Sequence, residues 1–155
     1  MQLPSQHNSG IDNERLLEAI AISKNCLPVD RAFSVGALIF DKEGRLVSTG
    51  FSRETDPNVH AEEVALNKAS TSHVDLAGGT LYISLEPCGR RLSGRKSCAD
   101  KIIEAGITRV VFAMREPPVF VEATGLTKLR GARIHVVIIN ALAEAVKKVN
   151  AHLFV

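Results

Sequence analysis

His60 and Glu62 stand one residue apart, and Pro87-Cys88 and then Cys98 follow further along the chain. Imidazole nitrogen and thiolate sulfur are donors that the borderline-soft Zn²⁺ accepts, and a catalytic zinc keeps three protein ligands with a fourth position left for water. One histidine and two cysteines meet that count, so His60, Cys88 and Cys98 are the candidate metal ligands. Zinc brings the pKa of such a water down towards about 7, which provides a nucleophile near neutral pH. A carboxylate beside the metal is then needed to take a proton from the water and deliver it to a leaving group, and Glu62 is the candidate for that catalytic role. The set is sufficient for hydrolytic deamination.

The spacing constrains how these residues are held. On a regular helix, positions two apart face nearly opposite sides. His60 must therefore sit at an irregular helix start, from which Glu62 reaches the water without binding the metal. Glu63 points elsewhere and serves the helix N-terminus, where acids complement the dipole. Cys88 follows an apolar run at Thr80 to Leu85, at the carboxyl end where open α/β sheets place their ligands, and Cys98 opens the next helix. Helix N-termini offer unpaired N–H groups and partial positive charge, which favours thiolates. His-x-Glu alone, or Pro-Cys alone, is a weak signal; their joint appearance in this order is a strong one. A closed structural zinc site would need a fourth protein donor, for which Cys26 and His73 are the candidates, neither with a ligand-like spacing.

The elements that position these residues alternate along the chain. Asp12 reads as the N-cap of a first helix, with Leu16, Leu17, Ile20 and Ala21 at helical spacing as far as Asn25. Phe33 to Phe40 and Leu46 to Phe51 read as strands, and residues 41–45 as the turn of a hairpin between them. A helix is expected from about His60 to Ala69, a strand over Thr80 to Leu85, and a helix over Ala99 to Ala105 that stops at Gly106. Ile107 to Met114 then reads as a strand, Glu122 to Arg130 as a helix, Ala132 to Ile139 as a last strand, and a helix follows from Asn140. Helical crossovers make the last three strands parallel. The expected fold class is α/β, a three-layer α/β/α sandwich around a five-stranded mixed sheet.

A chain of 155 residues with 45% hydrophobic content can bury one core and is too short for two ordinary domains, so a single domain over residues 1–155 is expected. Residues 1–10 are polar and expected to be flexible, without the apolar stretch of a secretory signal, which points to a cytoplasmic protein with no membrane partner. Three cysteines favour metal chemistry over a disulfide framework and leave Cys26 as a small apolar filler. A net charge of +2, no Trp and one Tyr argue against a nucleic-acid partner, since basic patches and aromatic stacking platforms are missing. The expected partner is a small-molecule substrate. Apolar helix faces beside the sheet would permit a homodimer or higher homo-oligomer.

At His-x-Glu and Pro-Cys the chain resembles the zinc-dependent cytidine deaminase superfamily, whose signature pairs H-x-E with P-C-x-x-C. The nine residues between Cys88 and Cys98 replace the usual two, and riboflavin-biosynthesis pyrimidine deaminases carry such a widened loop. Within them the chain is similar to the fungal type acting on the diamino-ribitylamino-pyrimidinone phosphate, through Thr49 to Glu54, His60 to Glu63, Arg91 to Gly94 and Arg115 to Val121. The resemblance implies a zinc cofactor, addition of water to a ring carbon bearing an amino group, proton shuttling by Glu62 and release of ammonia. It also implies backbone contacts to the ring near Ala61 and Pro87. A phosphorylated tail would need cations, for which Arg53, Arg90 and Arg91 are the candidates, with Arg95 and Lys96 also available. Gly89 and Ser97 depart from the Ser and Pro common at these places in the family. Two other readings stand beside this one. One is a deaminase of another aminated heterocycle, such as a cytosine nucleoside, a guanine-like base or a natural-product intermediate; the other is a catalytically silent, zinc-stabilised binding module.

Overall fold

A computed structural model describes residues 9–120 and 123–154. The five strands β1 (Gly36–Phe40), β2 (Leu46–Phe51), β3 (Thr80–Leu85), β4 (Arg109–Met114) and β5 (His135–Ile138) form one sheet in the order β2-β1-β3-β4-β5. β1 runs antiparallel to both β2 and β3, while β3, β4 and β5 are parallel. The helices are α1 (Ser9–Ser23), α2 (Ala61–Thr71), α3 (Cys98–Glu104), α4 (Gly125–Gly131) and α5 (Ala143–Val149).

Side chains alternate across the sheet, so each strand feeds two cores. Ala37, Ile39, Leu81, Ile83, Val110 and Phe112 pack with Ala61, Ala65, Ile102 and Leu129 from α2, α3 and α4. Their neighbours Leu38, Phe40, Tyr82, Val111 and Ala113 pack with Leu16, Ala19 and Ile20 of α1 and Val146 of α5. Three layers result. Close approach is specified by glycine: a Cβ on Gly50 of β2 would lie 2.4 Å from the Ala61 carbonyl oxygen, so only glycine admits α2 this near the sheet.

The topology decides where a ligand can bind. Because β1 opposes β2 and β3, the start of β1, the end of β2 and the carboxyl ends of β3 and β4 all meet at one edge of the sheet. His60, Cys88 and Cys98 lie at that edge.

Several boundaries differ from expectation for local reasons. α1 begins at Ser9, so Asp12 is no N-cap and Ser9 and Gly10 are helical; Asp12 lies in the first turn with its side chain buried against Arg109 and Tyr82. Residues 1–8, the rest of the segment expected to be flexible, lie outside the described residues. Phe33, Ser34 and Val35 do not extend β1, because side chains take their backbone groups: Asn150 Oδ1 accepts the Ser34 N–H at 2.6 Å, Ser52 Oγ accepts the Val35 N–H at 2.9 Å, and Arg53 Nη1 donates to Phe33 O at 3.2 Å. β5 is the short edge strand His135–Ile138. The helix expected from Asn140 opens with a 3₁₀ turn before α5, and α4 starts at Gly125; Glu122, the expected start, lies outside the described residues.

Candidate active site

His60 occupies the N-cap of α2 with an extended backbone (φ −88°, ψ 156°), so its imidazole stands ahead of the helix while Glu62 lies in the first turn. β3 ends at Leu85 and the chain passes through Glu86 and Pro87 to Cys88. Cys98 opens α3, whose N-cap Ser97 accepts the Asp100 N–H at 3.1 Å; a proline at 97 could not make that contact. The Cys98 N–H in turn points at Cys88 Sγ, 3.3 Å away.

His60 Nδ1 lies 3.3 Å from Cys98 Sγ and 3.7 Å from Cys88 Sγ, and the three donor atoms all fall within 4.8 Å of one another. With Zn–S near 2.3 Å and Zn–N near 2.0–2.1 Å, a tetrahedral angle separates N and S donors by about 3.6 Å. The observed pair brackets that value, so the donor set fits zinc. Among the described residues no other group of three His, Cys, Asp or Glu side chains has this geometry, and neither Cys26 nor His73 joins the cluster. Cys26 is buried beside the Val35 carbonyl, as a filler should be.

The electrostatics agree with a cation at this point. Hydrogen bonding with Cys98 and His60 pulls the Cys88 thiol down to about 4 against the effect of burial, whereas the contact with Cys88 and burial push Cys98 well up. Two thiolates this close ionise together only with a positive charge between them. Burial acts to lower the His60 imidazole, but its bond to Cys88 and the charge of Glu62 outweigh that and raise it. Glu62 is 3% exposed, and burial pushes its carboxyl up to about 7. A group at that value both gives and takes a proton near neutral pH.

The site opens into a cavity of about 430 Å³. His60, Glu62, Cys88, Glu86 and Glu116 line it with polar groups, Phe33 and Phe120 with apolar rings, and Arg31, Arg53, Arg90, Arg91 and Arg95 with positive charge. Phe33 and Phe120 meet edge to face with centroids 5.4 Å apart. Of the residues singled out in sequence, Arg53 and Arg90 face the cavity, as does Arg91, whose guanidinium is bonded to Glu63 and to Asn58 O. Arg53 holds the cavity wall through Leu27 O, Phe33 O and Ser34 Oγ. Ala61 and Pro87 do not line the cavity; each flanks residues that do, and the Pro87 carbonyl lies against Gly125.

Sequence reasoning missed three contributors. Glu86 is fully buried, accepts from the Glu116 N–H at 3.0 Å, the Leu126 N–H at 2.9 Å and Arg115 Nε at 3.1 Å, and so ties the ends of β3 and β4 to the start of α4. Glu116 is pushed up to about 8 by burial and by the negative charges of Cys88, Glu62 and Glu86. Its signal was its place just past the carboxyl end of β4. Phe33 was hidden because its stretch reads as strand. The Gly89 departure also has a cause: a Cβ there would stand 2.2 Å from Thr124 Oγ1.

The α/β/α sheet thus carries a His-Cys-Cys donor set fit for zinc and a buried Glu where the carboxyl ends of its strands meet. Residues 11–114 match the cytidine and deoxycytidylate deaminase zinc-binding region, and the chain belongs to that family. It is 41% identical over 126 residues to the diaminohydroxyphosphoribosylamino-pyrimidine deaminase of Schizosaccharomyces pombe, an alignment covering 80% of this chain and 31% of the relative. Among solved structures, the Thermotoga maritima diaminohydroxyphosphoribosylaminopyrimidine deaminase/5-amino-6-(5-phosphoribosylamino)uracil reductase superimposes with a TM-score of 0.84 at 34% identity, over 96% of this chain and 41% of that one. A C-terminal deletion mutant of the Aspergillus oryzae Rib2 deaminase in complex with DARIPP gives 0.80 at 28% identity, over 90% of both chains. The chain spans about a third or less of the curated relatives it matches, 31% of the Schizosaccharomyces protein and 27% of the Aquifex aeolicus riboflavin biosynthesis protein RibD. Among the described residues no helix is long and apolar enough to cross a membrane.

Proposed function

We propose that the chain is a hydrolytic deaminase acting on an amino group of a pyrimidine ring with a phosphorylated ribityl or ribosyl tail, an intermediate of riboflavin biosynthesis. The observation that carries this reading is Glu62 beside the His60, Cys88 and Cys98 donors, in a cavity that arginines also line. Zinc held by these three residues would supply Lewis-acid activation of water. Glu62 takes a proton from the attacking water and gives it to the adjacent ring nitrogen as the water oxygen bonds to the ring carbon; it then carries the remaining hydroxyl proton to the amino nitrogen, the bond from the ring carbon to that amino nitrogen breaks, and ammonia leaves a ring carbonyl beside a ring N–H. Burial suits Glu62 to both transfers, since a carboxyl held near neutrality changes state at little cost in either direction.

Recognition divides along the cavity. Phe33 and Phe120 provide an apolar face for the ring, and the backbone that Ala61 and Pro87 share with the lining residues His60, Glu62, Glu86 and Cys88 would reach its edge. Arg90 and Arg53 bring positive charge to the cavity that a phosphate would meet, and the substrates named for the Schizosaccharomyces and Thermotoga relatives carry a phosphoribosyl group. Exposed Leu27 and Val119 give apolar surface for a homo-oligomer of a cytoplasmic enzyme. The test is ammonia release from the phosphorylated diaminopyrimidine, its dephosphorylated form and cytidine. Turnover preferring the phosphorylated compound, lost in Glu62→Gln with zinc retained, is expected. Preferred turnover of cytidine would replace the substrate assignment, and inactivity on all aminated heterocycles would leave a silent zinc module.

A further inference from the structure

The loop between Cys88 and Cys98 carries four basic side chains, Arg90, Arg91, Arg95 and Lys96, and only one of them is buried. Arg91 is 9% exposed, whereas Arg90 and every residue from Leu92 to Lys96 are exposed. Arg91 Nη1 donates to Glu63 Oε1 at 2.7 Å and Nη2 to Asn58 O at 3.1 Å. Glu63 Oε1 also accepts the His60 N–H at 3.0 Å, and its Oε2 accepts from Lys101 of α3. One guanidinium therefore bridges the loop to the segment that bears His60 and Glu62, at both of its ends. The Arg91 carbonyl accepts the Gly94 N–H at 3.0 Å, closing a turn that carries Leu92 and Ser93 to the cavity.

We propose that Arg91 is a positioning residue that clamps the loop between the thiols onto the mouth of α2 through Glu63 and Asn58, and so fixes where Arg90, Leu92 and Ser93 meet the substrate. The charge of Arg91 is answered by Glu63 within a buried pair, which leaves Arg90 and Arg95 as the loop cations that line the cavity and can meet an anionic tail. The planar fork matters: guanidinium reaches the carboxylate and the carbonyl together, whereas an ammonium at the same place serves one of them. The identity of the tail rests on the function proposed above; the clamp does not.

Tryptic cleavage of the zinc-loaded protein at Arg90 and Arg95 reads the clamp without substrate. Glu63→Gln keeps every cleavage site and an oxygen for the His60 N–H, and is expected to speed cleavage about tenfold or more, because breaking one side of a buried pair populates the open loop. Arg91→Met should speed cleavage at Arg95 to the same extent, the double variant should be no faster than the faster single one, and Arg91→Lys should fall between. Lys101→Met, which touches the same carboxylate from α3, should leave the loop protected. Arg91→Met should lower kcat/KM for the dephosphorylated substrate as well as for the phosphorylated one, because Leu92 and Ser93 are displaced together with Arg90. Protection unchanged in both Glu63→Gln and Arg91→Met would overturn the proposal, as would a loss confined to the phosphorylated substrate, which makes Arg91 a phosphate ligand. Loosening by Lys101→Met equal to that by Arg91→Met would overturn it too. If the wild type releases no ammonia from either compound, the proposed function fails and the protease pattern alone decides the clamp.

Discussion

Asp12 and Glu62 are almost equally buried, at 4% and 3% exposed, yet they sit in opposite electrostatic states at opposite edges of the sheet. At the amino end of β4, Arg109 grips both oxygens of Asp12 at 2.9 and 2.5 Å, and Tyr82 donates to it at 2.6 Å. Burial alone would raise the Asp12 carboxyl, but these hydrogen bonds outweigh it and hold the group below the ordinary carboxylate range. At the carboxyl edge burial outweighs the lowering effect of His60, and Glu62 is pushed up to about 7. Glu63, its direct neighbour, falls on the Asp12 side of the contrast: burial would raise it, and Lys101 and Arg91 hold it down. Burial by itself does not prepare a carboxylate for chemistry. What distinguishes Glu62 is that, among the described residues, no arginine or lysine pairs with it as Arg109 does with Asp12 and Arg91 and Lys101 do with Glu63.

Breaking each side of this contrast gives effects of different kinds. The largest is expected at Glu62: Glu62→Gln should lower kcat by about 10²–10⁴-fold while zinc content and thermal midpoint stay near wild type. At the other edge, Asp12→Asn should cost about 3 kcal/mol in urea denaturation, since it leaves Arg109 facing a neutral group in a largely buried place, with kcat per folded molecule unchanged. The pH dependence sharpens the same point. A depressed folded-state pKa means that Asp12 contributes stability above its unfolded value, about 3.9, and that this is lost as pH falls through the lower folded value. Below about pH 4 the wild type should therefore approach the stability of Asp12→Asn, and parallel curves for the two proteins would contradict the ion-pair assignment. A smaller effect is expected at Gly89→Ala, about 1–3 kcal/mol, because the added methyl meets Thr124; Thr124→Ser should not relieve it fully, since the Thr124 carbonyl carbon lies 2.5 Å from the same point.

Local pattern made much of the fold legible. β2 and β3 coincide with the runs Leu46 to Phe51 and Thr80 to Leu85 because alternating or wholly apolar segments bounded by turn residues have few other places to go. The convergence of His60, Cys88 and Cys98 was legible too, since a helix start and a strand end are local features and ligand chemistry supplies the long-range link. What sequence concealed was pairing without periodicity. Asn150 closes both backbone groups of Ser34 from 116 residues away, and this side chain, not strand propensity, sets the start of β1 at Gly36. Asp12 reads as a cap because Asp before an apolar run is one; its partner at position 109 lies across the core. Arg91 and Arg90 are adjacent and identical in type, so nothing in the sequence tells the buried one from the exposed one.

The central claim is that one imidazole and two thiolates share a single zinc whose remaining position is open to water. X-ray absorption at the zinc edge of the purified protein tests it most directly. Two sulfur scatterers near 2.3 Å and two light-atom scatterers near 2.0–2.1 Å are expected, unchanged in Glu62→Gln. A shell of three or four sulfurs, or loss of a light-atom scatterer in Glu62→Gln, would contradict the account.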